Sequence, residues 1–393
     1  MPSWPDVAAG AVSGASASLL LLRRYLRREV AEPELVRAAA EEHAPEVSQL
    51  PPELQMLLQP YWPHPVLEFS GYTSTTWCGM WAGMPALSSP GHTELVRLQD
   101  GGTVSLHWGE APASRSDGLP ERLALVLPGL NNDSRTRFVQ ASMRQLQEGG
   151  FRAAALNYRG TGGLELTSPR FGCADSWRDI SEVIEHMRNA WPGAEVFAVG
   201  FSMGASILLR YLGEAGAGAG LKAAVALAAP IDMVESCKAL ESSLKKRFLN
   251  FIMASGVKMF LLPGFLRSPY KGLIDTWGAV RARSLRQLEE ATICPVHGYR
   301  DAFEYYAVNS ARSKIAAICV PTLVINSQDD PVVSVNTLPL DELRRNRYLL
   351  VALTRRGGHI GWGGGGGAGP AAWSDAVTLA FFKATGVQTR ARL

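Results

Sequence analysis

Residues 196–212 read VFAVGFSMGASILLRYL, an apolar run that turns at a glycine-flanked serine into a helical pattern. Val196–Phe201 has the length and composition of a buried strand, and Ala205–Ala215 carries the helix. Between them stands Gly200-Phe201-Ser202-Met203-Gly204, a G-x-S-x-G pentapeptide. A strand-to-helix turn this tight leaves no room for a side chain two positions before or after the serine. It forces the serine into a strained backbone, with its hydroxyl exposed above the strand end. That geometry presents a nucleophile; the plainer alternative is a helix N-cap serine that happens to be flanked by glycine.

Outward from this turn, short apolar runs alternate with helical stretches. Thr93–Leu98 and Thr103–Trp108 flank Asp100-Gly101-Gly102 as a β-hairpin. Strands follow at Leu123–Leu127, Arg152–Asn157 and Ala223–Leu227, with helices at Ser134–Glu148 and Trp177–Trp191. Strands alternating with helices and rich in Val, Ala and Leu predict a mostly parallel central sheet covered by helices on both faces. Residues 232–315 then hold helical stretches such as Cys237–Phe251 and Val280–Glu290 and no strand, which predicts a helical cap inserted over the carboxyl edge of the sheet. The sheet pattern resumes at Thr322–Ile325 and Tyr348–Leu353, and Ala371–Ala384 closes the chain as a helix. Gly363–Gly367, five glycines in a row, can only be a loop.

A nucleophilic serine needs a base, and the base needs an orienting carboxylate. Of the seven histidines, only His359 follows the last predicted strand, on the loop Gly357-Gly358-His359-Ile360-Gly361. His297, near Asp301, is the rival. The strand Thr322–Ile325 leads into Asn326-Ser327-Gln328-Asp329-Asp330, so an acidic pair stands at the same sheet edge as Ser202. The order Ser202, Asp330, His359 is that of an α/β-hydrolase triad. The oxyanion of a tetrahedral intermediate needs two backbone N–H donors. Met203, just past the serine, and Leu130, in the loop Pro128–Asn132 after the first core strand, are the expected pair.

Composition bounds the alternatives. The chain has 393 residues, 47% hydrophobic and 19% charged, enough apolar material for a sizeable core. Lys+Arg is 39 against Asp+Glu 36, with no dense basic stripe in the body, which gives no reason to expect nucleic acid. Five scattered cysteines, none at CxxC spacing, suggest reduced thiols in a cytosol-facing protein, with neither a metal site nor a disulfide framework. No cofactor is expected, and the oligomeric state is left open.

From about Pro65 to Phe382 the chain resembles the YheT-like branch of the α/β-hydrolase superfamily. The segments LPGLNND (127–133), NYRGTGG (157–163), GFSMGASILLRYL (200–212), GYRDAFEYY (298–306), INSQDDP (325–331) and RRGGHIGW (355–362) carry the resemblance. It implies an ester or lipid hydrolase with Ser202, Asp330 and His359 as triad and a membrane segment ahead of the domain. Its pattern also sets the acid three residues before an apolar side chain, which Asp330 and Val333 satisfy, and leaves Asp329 to the loop. No histidine has Asp five residues on, so the acyltransferase box of some members is missing.

Val7–Leu22 is uncharged and is followed at once by Arg23, Arg24, Arg27 and Arg28. It reads as a membrane anchor or interfacial helix that would keep the following domain in the cytoplasm, with a surface helix or transit peptide as alternatives. The expected organisation is an arm over 1–64 and a hydrolase domain over 65–393, with the cap at about 232–315. The expected activity is hydrolysis of carboxylic esters, of the carboxylesterase or acylglycerol-lipase type, on small-molecule or lipid esters. An acyltransferase, a peptidase or thioesterase, or a catalytically silent binding protein on the same fold are the rivals, and a soluble cytoplasmic protein is the alternative location.

Overall fold

The computed structural model describes residues 30–37, 61, 63, 69–86, 90–111, 120–363 and 372–388. The predicted anchor at 7–22 and most of the glycine run lie outside these residues. In chain order the elements are β1 (Glu34–Arg37), α1 (Gly71–Trp77), β2 (His92–Arg97), β3 (Thr103–Trp108), β4 (Arg122–Leu127), α2 (Arg137–Glu148), β5 (Arg152–Asn157), α3 (Trp177–Ala190), β6 (Glu195–Phe201), α4 (Met203–Ala215) and β7 (Ala223–Leu227). There follow α5 (Met233–Leu240), α6 (Leu244–Phe260), α7 (Leu262–Arg267), α8 (Thr276–Arg281), α9 (Leu285–His297), α10 (Ala302–Asn309), β8 (Thr322–Ser327), α11 (Leu340–Arg345), β9 (Leu349–Thr354) and α12 (Ala372–Gln388).

Nine strands form one sheet in the order β1-β9-β8-β7-β6-β4-β5-β3-β2. The six from β9 through β5 run parallel; β3 and β2 at one edge and β1 at the other pair antiparallel. The period of two along each core strand divides the interior into two layers. Leu123, Leu125 and Leu127 of β4, with Val196 and Ala198 of β6, pack against Ile180, Val183 and Met187 of α3 and Ile207 and Leu208 of α4. Ala124 and Val126, with Phe197, Val199 and Phe201, face the other way onto Phe138, Val139 and Met143 of α2 and Phe381 and Phe382 of α12. With both faces covered, central strands such as β8 are buried at every residue, so they read as continuous apolar runs. The fold is an α/β-hydrolase fold.

Between β7 and β8 the chain is helical from Met233 to Ala317 with no strand. Two expected helices are each broken. Cys237–Phe251 divides at Glu241–Ser243, where Ser243 caps α6 by accepting the Lys246 N–H; Val280–Glu290 divides where Ser284 caps α9 by accepting the Gln287 N–H. The sheet also gains β1, from the segment read as an arm, paired on β9 from Glu34 opposite Leu353 to Arg37 opposite Leu350.

Candidate active site

The turn between β6 and α4 is as tight as its glycines require. A Cβ on Gly204 would stand 2.3 Å from the Leu127 carbonyl oxygen, so the turn can press against the end of β4 only without one. Ser202 sits at φ 50° and ψ −114°, in the left-handed half of backbone space that costs a non-glycine residue of order 1–3 kcal/mol. Its N–H donates to the Leu227 carbonyl at 2.8 Å, tying the strained residue to β7. The Ser202 side chain does not cap α4, which leaves the hydroxyl free for a partner across the cleft.

That partner is His359. Its Nε2 lies 2.8 Å from Ser202 Oγ, and its Nδ1 lies 2.8 Å from Asp330 Oδ2. The other Asp330 oxygen accepts the Val332 and Val333 N–H groups at 2.7 and 2.9 Å, so the carboxylate is fixed and its side chain fully buried. Asp329 points elsewhere: Oδ1 accepts the Gly358 N–H at 3.0 Å and Oδ2 pairs with Arg356 at 3.2 Å. The two neighbouring aspartates therefore divide between the histidine side chain and the loop that carries it.

The histidine loop rests on α1. Gly358, at φ 54°, lies so close that a Cβ would stand 2.5 Å from the Gly71 carbonyl oxygen. His359 N–H donates to Thr75 Oγ1 at 2.9 Å, and Ser327 Oγ donates to the Gly358 carbonyl at 2.7 Å. Neither Thr75 nor Ser327 stood out in the sequence, because nothing local marks a hydroxyl whose partner lies far along the chain.

The predicted oxyanion donors occupy the two segments that flank Ser202. Met203 is the first residue of α4. Leu130 follows Gly129, whose Cα packs so near that a Cβ would stand 3.3 Å from both the Phe201 carbonyl and Ser202 Cβ. The loop is held from behind by the Tyr158 hydroxyl, which donates to the Pro128 carbonyl at 3.2 Å, and it turns back through Asn131 at φ 65°.

His297 lies elsewhere. Its Nδ1 faces Asp175 Oδ2 at 3.3 Å and its Nε2 faces Cys173 Sγ at 3.8 Å. All three side chains are buried, and burial pushes the Cys173 thiol up, which disfavours the thiolate a nucleophile requires. Arg159, of the NYRG segment, is likewise structural. It grips Asp179 with two bonds of 2.8 and 2.7 Å and reaches Asp100 at 2.6 Å, knitting the loop after β5 to α3 and the β2–β3 turn.

Beside that loop, a cleft is walled on one side by Gly160, Thr161 and Phe171 and on the other by Val257 of α6, Leu261 between the helices and Phe265 of α7. Its lining is largely apolar, and none of Ser202, Asp330 and His359 is part of it. Among the described residues no three His, Cys, Asp or Glu side chains are grouped as a metal site would require.

Residues 119–339, more than half of the chain, match the family described as serine aminopeptidase, S33. The chain belongs to that family. The match takes in Ser202 and Asp330, whereas His359 lies beyond it. This S33 chain is 29% identical over 301 residues to phospholipase ABHD3 of Bos taurus, covering 74% of the chain and 73% of the relative. It is 27% identical over 350 residues to monoacylglycerol lipase ABHD2 of Homo sapiens, covering 84% and 81%. Among solved structures, the Pyrococcus furiosus esterase Pf2001 aligns over 67% of this chain and 81% of its own, at 17% identity and a TM-score of 0.44.

Proposed function

We propose that this S33-family chain is a serine hydrolase of carboxylic esters, in the YheT-like branch of the α/β-hydrolase superfamily, acting on acylglycerol- or phospholipid-type substrates. The observation that carries the reading is the continuous relay from Ser202 Oγ through His359 to Asp330, each step 2.8 Å. In this reading His359 takes the Ser202 proton as the oxygen attacks the ester carbonyl, then returns it to the departing alcohol. Asp330 holds the ring with Nδ1–H toward the carboxylate and stabilises the imidazolium. Leu130 and Met203 N–H groups receive the oxyanion. Water activated by His359 then releases the acid from the acyl-Ser202 intermediate. The fixed Asp330 and the backbone-held His359 remove orientational freedom before substrate arrives, which lowers the barrier to attack.

The lipid-ester preference draws on the relatives, a phospholipase and a monoacylglycerol lipase. Residues 232–315 are assigned as the cap over the carboxyl edge of the sheet. The segment 7–22 is assigned as an anchor that holds a cytoplasm-facing catalytic domain at a membrane. The test is a panel of p-nitrophenyl esters from short to long chain, with monoacylglycerol and lysophospholipid alongside and Ser202→Ala as control. Turnover of esters that vanishes in the variant supports the reading; turnover of aminoacyl amides alone would return it to peptidase chemistry. Transfer of the acyl group to added glycerol in place of hydrolysis would make the protein an acyltransferase.

A further inference from the structure

The outer face of α6 is apolar and uncovered. Leu244, Phe248, Ile252 and Met259 recur at helical spacing on one side, with Phe248 and Met259 each 65% exposed; Phe260 and Trp277 continue the surface, the latter 72% exposed. The opposite side of the same helix is used by the fold: Asn250 and Ala254 are buried, and Val257 packs toward Ala279 and Leu288. Leu244–Arg267 is long and apolar enough to cross a membrane, yet Pro263 interrupts it and its inner face is committed to the domain. A segment of this kind suits the surface of a membrane better than its interior.

Charge says which surface. Between residues 244 and 283 stand Lys245, Lys246, Arg247, Lys258, Arg267, Lys271, Arg281 and Arg283 against a single acid, Asp275. That is an excess of seven positive charges (eight minus one) in a chain whose whole excess is three. Among the described residues none of the eight is ion-paired with a carboxylate. Lys245 lies 3.8 Å over the Tyr72 ring and Lys258 donates to the Ala282 carbonyl at 2.8 Å, and neither contact supplies an opposing negative charge. Large exposed apolar side chains on a segment rich in cations that no carboxylate pairs match the headgroup layer of an anionic bilayer, where acyl chains receive the former and phosphates the latter.

We propose that the outer face of α6 to α8 docks on an anionic lipid surface, as a second contact independent of residues 7–22. This contact does not depend on the Ser202 chemistry. It would bring the cleft behind α6 and α7 down onto the bilayer.

The full chain is used for the test, with Cys319, the exposed free thiol, changed to Ser so that a label can be placed. An environment-sensitive fluorophore on Ile252→Cys should brighten at least threefold on vesicles of phosphatidylcholine with 30% phosphatidylserine and be quenched by brominated lipid. The unlabelled-site background is taken from the Cys319→Ser chain alone. The same probe on Leu95→Cys, an exposed position on β2, should not respond. The combined variant Lys246→Gln, Arg267→Gln, Lys271→Gln should weaken the Ile252 response at least tenfold while leaving hydrolysis of a water-soluble ester unchanged. The proposal is overturned if the chain reaches the vesicles while the Ile252 probe stays in water, since 7–22 alone would then carry it. No vesicle binding overturns it too, as do equal responses without phosphatidylserine. A probe that becomes buried on raising protein concentration without lipid overturns it in favour of a second copy of the chain.

Discussion

The backbone N–H of His359 donates to the hydroxyl of Thr75, across 284 residues of sequence, at 2.9 Å. The same hydroxyl donates to the Gly71 carbonyl. A helix ahead of the β2–β3 hairpin therefore holds the loop of the proposed general base in place.

Thr75→Val keeps the shape and removes the acceptor, leaving the His359 N–H unpaired at a cost of about 1–3 kcal/mol. The expected result is a fall of about tenfold in kcat on a good ester, with KM little changed and Thr75→Ser restoring turnover. Unchanged kcat in Thr75→Val would show that the loop is positioned without α1.

The neighbouring aspartates give a sharper comparison. Asp330→Asn should lower kcat by roughly 10⁴, because the His359 ring loses the carboxylate that fixes its tautomer. Asp329→Asn removes a partner of Gly358 and Arg356, and should cost about 1 kcal/mol of stability with far less effect on turnover. Both variants are assayed on one ester with thermal melts alongside. The reverse ranking would move the triad acid by one position.

Gly204→Ala tests the turn itself. The new methyl would fall 2.3 Å from the Leu127 carbonyl oxygen and 2.5 Å from that of Pro128, both backbone atoms on the segment leading to Leu130. Overpacking of this kind costs about 1–3 kcal/mol, and here it also displaces Ser202 from the Leu130 loop. Loss of turnover exceeding the loss of stability is expected from melts and kinetics on the same preparation.

A pH effect follows from α12. Burial pushes the Asp375 carboxyl up to about 8, because the charged form has lost its water. The folded chain therefore holds a proton that the unfolded chain releases near pH 4. The stability from this group is complete below that value and is lost as pH rises toward 8, by at most about 1.4 kcal/mol per pH unit. Urea midpoints for wild type should fall more steeply between pH 5 and 8 than those of Asp375→Asn, whose side chain carries no charge. Parallel pH profiles would show that Asp375 titrates in the ordinary carboxylate range.

The parallel core was legible because its strands are buried on both faces and so read as unbroken apolar runs between helical periods. The serine turn was legible because two glycines at fixed spacing leave a sterically specific mark. Other features had no such signal. β1 is four residues long at a sheet edge, with Val36 buried and Glu34 and Leu35 exposed, too short for a period to show. The helix breaks at Ser243 and Ser284 depend on single capping hydroxyls inside otherwise helical composition. Thr75, Ser327 and the Arg159 grip on Asp179 are pairings between distant segments, which one sequence read along its length does not connect.

The central claim is that Ser202 is a nucleophile activated by His359. A fluorophosphonate probe reacts with such a serine and not with an ordinary hydroxyl. Treated chain should therefore carry one covalent adduct, located by peptide mass spectrometry on Ser202. The adduct should disappear in Ser202→Ala, while ester turnover falls by about 10⁶. An adduct elsewhere, or wild-type turnover in the purified Ser202→Ala protein, would contradict the account.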